Sequence, residues 1–149
     1  GVAFEEEDAM TRLTTRISVT LLAVMLVPAS VFPGTSKEQA LLAAEEWLEL
    51  VDQGEYEESW NEAAELFKSA VTAEQWQNSI TAARRPLGRL ISREVRSTVY
   101  TTSLPGAPDG EYYVIQFNAS FSNKESAVET VTPMKGEDGI WRVSGYYVK

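Results

Sequence analysis

Residues 72–99 read TAEQWQNSITAARRPLGRLISREVRSTV, and the spacing of their apolar positions changes at Gly88. Upstream, Trp76, Ile80 and Ala83 recur three to four residues apart, as on one buried helix face. Thr72 and Gln75 stand at capping-box distance, so each side chain can satisfy a backbone N–H left free at a helix start. Pro86 and Gly88 close that helix. Downstream, Ile91, Val95 and Val99 follow the two-residue period of a strand, and Arg93 falls on their face. One change of period, never reversed, separates a helical half from a strand half.

Working toward the N-terminus, Thr35-Ser36 opens a first helix, with Ser36 and Gln39 at capping-box spacing. Leu41, Ala44, Leu48 and Val51 mark its buried face, and Gly54 ends it. A second helix is expected from Glu55 to Ser69, with Tyr56, Trp60, Ala63, Ala64 and Phe67 on one side. Working toward the C-terminus, Leu104 to Gly110 is a Pro- and Gly-rich loop. Tyr113, Ile115, Phe117, Ala119 and Phe121 then alternate as one face of a second strand. Asn123-Lys124-Glu125 turns the chain, a third strand spans Ala127 to Met134, and Gly136 to Gly139 turns into a last strand from Ile140 to Val148. The expected fold is α+β: three N-terminal helices packed on a four-stranded antiparallel meander, formed by residues 35–149.

Ahead of that domain, Arg12 and Arg16 precede an apolar run from Ile17 to Val27, followed by Pro28-Ala29-Ser30. A basic start, an apolar middle and a small-residue end read as an export signal over residues 10–34, cleaved near Ala29 or retained as an N-terminal anchor. The run is shorter than the roughly 20 residues of a comfortable membrane span. Residues 1–9, with Glu5-Glu6-Glu7-Asp8, read as a tag remnant or an over-extended start. The expected location is periplasmic or secreted.

The net charge of −9 disfavours nucleic acid and anionic membrane surfaces as partners, because both demand a basic face. A membrane enters only if the leader is uncleaved. The charge is uneven: 11 acidic and 2 basic residues lie between Lys37 and Glu74, and five Arg with one Glu between Arg84 and Arg96. With no Cys and no His, the chain lacks thiol nucleophiles, histidine bases and the usual zinc or copper ligands. Asp52, Asp109 and Asp138 fall near helix ends or turns, where local hydrogen bonding accounts for them. No catalytic residue, metal or cofactor is expected.

Several longer segments carry a resemblance: Arg85-Pro86-Leu87-Gly88, Arg93, Leu104 to Tyr112, Phe121, Glu129-Thr130-Val131, and Asp138-Gly139 followed by Trp141 to Tyr147. From about Leu41 to Lys149 the chain resembles a family of exported bacterial proteins classed as a domain of unknown function. That resemblance implies no activity. The order of helices and strands is also similar to the cone-shaped nuclear transport factor 2-like and ketosteroid isomerase-like domains, without their early strand pair. A cone of that kind implies a cavity between sheet and helices.

Arg93 on an apolar face must find a partner or reach water. Glu129 is the candidate partner; a ligand carboxylate or phosphate is the alternative. Trp60 and Trp76 are either core or the lining of a ligand cavity. Two functions stay open: a non-catalytic binding or interaction module with an envelope protein or small ligand as partner, or a small-molecule binder or vestigial enzyme using a cone cavity.

Overall fold

The structure is a computed structural model that describes residues 34–149. The expectations for residues 1–9 and for the leader, apart from Gly34, lie outside the described residues. Four helices come first: α1 (Ser36–Asp52), α2 (Tyr56–Asn61), α3 (Glu65–Ala70) and α4 (Ala73–Arg84), the last running into a 3-10 turn over Arg85–Leu87. Four strands follow: β1 (Leu90–Thr101), β2 (Tyr112–Phe121), β3 (Lys124–Lys135) and β4 (Trp141–Val148). They form one antiparallel sheet in the order β1-β2-β3-β4, as the meander reading expects. No helix among the described residues is long and apolar enough to cross a membrane.

The count of three helices needs correction. The stretch expected as one helix from Glu55 to Ser69 is broken, because Ala64 takes an extended conformation (φ −62°, ψ 151°) and its N–H donates to the Val143 carbonyl at 2.8 Å. Ala63 and Ala64 are strong helix formers, so the break comes from the edge of β4, where Val143 accepts the donor, and not from local propensity. The cap of α1 also sits one residue earlier than expected. Thr35 and Glu38 form the capping box in place of Ser36 and Gln39. The cap of α4 is Thr72 with Gln75, as read. Ala83 is exposed, and Arg84 is the residue that follows Trp76 and Ile80 into the interior.

The helices rest chiefly on β2, β3 and β4. Ile115, Phe117, Val131 and Val143 supply the sheet side of the main core, facing Ala44, Trp47, Leu48 and Val51 of α1. Burying each large apolar side chain contributes about 1.5–3 kcal/mol. Trp47, Phe67, Trp76 and Tyr146 stack in edge and tilted pairs with ring centroids 5.0–6.4 Å apart. Ser59, fully buried in α2, ties this cluster together: its carbonyl accepts from Trp47 Nε1 at 2.7 Å and its hydroxyl from Trp76 Nε1 at 2.9 Å.

Irregularities in the sheet reassign several side chains. β1 has register shifts against β2 at Leu90/Ser92 and at Val95/Ser97. Arg93 stays opposite Ala119 and Val95 opposite Phe117, whose side chains lie on the helix-covered face, but Val95 is itself 43% exposed. Ile91 and Val99, expected on that same face, are instead more than half exposed. A shift at Val131/Pro133 does the same to β4. Trp141 and Val143 face the core, but after Ser144-Gly145 it is Tyr146, not Tyr147, that turns inward. An extra residue on one strand of a pair exchanges the two faces for everything beyond it.

Candidate functional site

Five elements deliver charged or hydroxyl side chains to one buried point. Asp52 closes α1, Arg84 closes α4, Arg93 comes from β1, Glu129 from β3 and Tyr146 from β4. Arg93 bridges both acids. Its Nη1 and Nη2 donate to Asp52 at 2.6 and 2.9 Å, and its Nε and Nη2 donate to Glu129 at 2.6 and 3.0 Å. Arg84 Nη2 donates to Asp52 Oδ1 at 2.7 Å, and the Tyr146 hydroxyl donates to Glu129 Oε1 at 2.7 Å. Glu129 is fully buried, and Arg84 and Arg93 are 6% and 12% exposed. Two guanidiniums against two carboxylates leave the group electrically neutral, the condition under which buried charge is tolerated.

Burial pulls the Arg93 pKa down, but the hydrogen bonds and charges of Asp52 and Glu129 together outweigh it, and the net shift is upward. Burial raises the Tyr146 hydroxyl well above the usual phenol value, and the Glu129 charge and hydrogen bond push it further. Tyr146 is therefore a fixed donor and not an acid at physiological pH. The Arg84 guanidinium lies 4.9 Å from the Phe121 ring centroid, while its Nε and Nη1 have no hydrogen-bond partner.

The sequence offered Glu129 as one partner for Arg93, and the two are hydrogen-bonded. Asp52, Arg84 and Tyr146 were missed. Asp52 does not make the local turn contacts expected of it; it receives two arginines from 32 and 41 residues away. Trp76 joins the site indirectly, its ring centroid 6.4 Å from that of Tyr146. Trp60 does not join it: its Nε1 donates to the Val71 carbonyl at 2.8 Å, and Lys68 Nζ lies 6.0 Å from its ring centroid.

Beside Arg93 opens a small cleft of about 240 Å³, lined by Glu45, Glu49, Glu94, Val95 and Phe117. Three further carboxylates around an arginine already held by two repel an anionic ligand. Two larger grooves lie on the surface. One, of about 580 Å³, runs between α1, α2 and the start of β4. The other, of about 1000 Å³, lies between α3 and the loops at the top of the sheet. Among the described residues, no group of three or more His, Cys, Asp or Glu is placed to hold a metal ion.

Residues 43–146 match the family described as Protein of unknown function (DUF4019). The chain belongs to that family. The matched span of this DUF4019 domain runs from α1 into β4 and contains all five residues of the buried network. No curated protein matches the chain.

Proposed function

We propose that this DUF4019 domain is a non-catalytic binding and interaction module, exported to the bacterial periplasm or secreted. One observation carries the reading: the space between helices and sheet, where a cone fold would keep a cavity, is largely taken up by the aromatic cluster and a charge-neutral network, and the small cleft beside Arg93 is ringed by carboxylates. Helices layered on one face of an antiparallel sheet still support the likeness to nuclear transport factor 2-like domains, as a version with a closed interior. A domain closed inside acts through its surface, and the acidic composition favours a protein or small cationic partner over nucleic acid.

Arg93→Ala tests this. If Arg93 is structural, the substitution leaves two carboxylates to Arg84 alone and should cost about 3–5 kcal/mol in urea unfolding. If Arg93 instead waits for a ligand in a wet cavity, its removal should cost little or should stabilise. A variant as stable as the parent sinks the closed-interior reading and favours the small-molecule binder.

A further inference from the structure

Of the four indoles, three donate to protein acceptors: Trp47 to Ser59, Trp60 to Val71 and Trp76 to Ser59. The fourth, Trp141 Nε1, is buried and has no acceptor. Trp141 forms a wall of the groove between α1, α2 and β4, with Trp47, Leu50, Ile140 and Val143 beside it. Ile140 is 53% exposed there, an apolar side chain left in water at the groove's mouth.

The rim of this groove is acidic. Glu46, Glu58 and Glu62 are exposed and, among the described residues, none of them forms a salt bridge. Arg142 is the one cation among its lining residues, and its guanidinium is doubly bonded to Asp138 at 2.9 and 3.2 Å. An apolar floor under carboxylates that form no salt bridge selects by sign: the net negative rim steers a cationic partner, and the floor receives an apolar side chain.

We propose that this groove docks a short segment of a partner protein in which an apolar side chain is flanked by Lys or Arg. The apolar side chain covers Ile140 and the accessible edge of Trp141, and the cations meet Glu46, Glu58 and Glu62. The proposal rests on the interaction-module reading and names its surface.

The test is a titration of the ¹⁵N-labelled full chain with the peptide acetyl-Lys-Leu-Lys-Leu-Lys-amide, followed by NMR. Saturable shifts are expected at the Trp141 indole N–H and at amides of 43–50, 58–62 and 140–143, while the Trp60 and Trp76 indoles stay put. Reversing the rim (Glu46→Lys, Glu58→Lys, Glu62→Lys) should weaken binding about tenfold, and Ile140→Glu should abolish it. Both sets of substitutions are on exposed side chains, and unchanged signal dispersion checks the fold. The acidic twin acetyl-Glu-Leu-Glu-Leu-Glu-amide should not bind. The proposal is overturned by a dissociation constant weaker than roughly 1 mM, a regime of very weak affinity, by equal binding of the acidic twin, or by shifts centred on another face. Shifts on another face leave the interaction reading standing, and Arg93→Ala judges that reading separately.

Discussion

Trp141 concentrates the argument at the scale of one residue. It is 5% exposed, its ring centroid is 5.2 Å from that of Tyr113, and it opens β4 where the chain leaves the Gly136–Gly139 turn. Truncating a buried Trp removes transfer energy and leaves a cavity, together about 3–5 kcal/mol. Trp141→Ala should lower the urea midpoint sharply or abolish soluble expression; a variant as stable as the parent would show that the start of β4 is not anchored by this ring. The buried network shows what single residues reveal in sequence and what they hide. Arg93 and Glu129 were legible because a charge on an apolar strand face needs a partner. Arg84 was legible too, four residues beyond Ile80 on the same helical stripe, although Ala83 was read in its place. Asp52 was hidden because an acid at a helix end has an ordinary local explanation.

At the scale of elements, turns and bulges decide which face a side chain joins. Gly88 links α4's terminal turn to β1 with φ +76° and ψ −152°, a region open to glycine, and a Cβ there would collide with Ser122 Oγ. That hydroxyl already accepts from Arg89 N–H at 2.9 Å and so has a post to keep. Gly54, at φ +79° after α1, has nothing within 4 Å of the same position. Gly88→Ala should therefore destabilise by more than the roughly 1–3 kcal/mol of backbone strain. Gly54→Ala should stay near the lower end of that range, about 1 kcal/mol. Chemical denaturation of the pair checks it, and equal losses would mean that the Ser122 contact carries no weight. The break at Ala63-Ala64 belongs to this scale as well. Two alanines favour helix, and the β4 carbonyl that overrules them lies almost 80 residues away, where local propensity carries no information about it.

For the whole molecule, the first described helix begins at Ser36, so cleavage near Ala29 would remove no residue of the described fold. Mass spectrometry of the protein recovered from its native cells should find an N-terminus between Ser30 and Ser36. An intact Met10 in a membrane fraction would mean a retained anchor and would place the groove partner near the membrane. The placing of helices before strands, the antiparallel meander and the family follow from periods, turns and motifs that lie within short windows of sequence, which is why they could be read.

The sequence by itself determined the change from helix to strand at Gly88, the face of β2 from Tyr113 to Phe121, and a chain without thiol or imidazole chemistry. The tertiary structure alone decided the split of the second helix, the turning of Tyr146 in place of Tyr147, and the gathering of Asp52, Arg84 and Tyr146 around Arg93 and Glu129. The physical reason is the same in each case. Side-chain periodicity is a local property fixed by backbone geometry, whereas bulges, edge hydrogen bonds and charge neutralisation are settled between segments distant in sequence, by the cost of leaving a buried polar group without its partner.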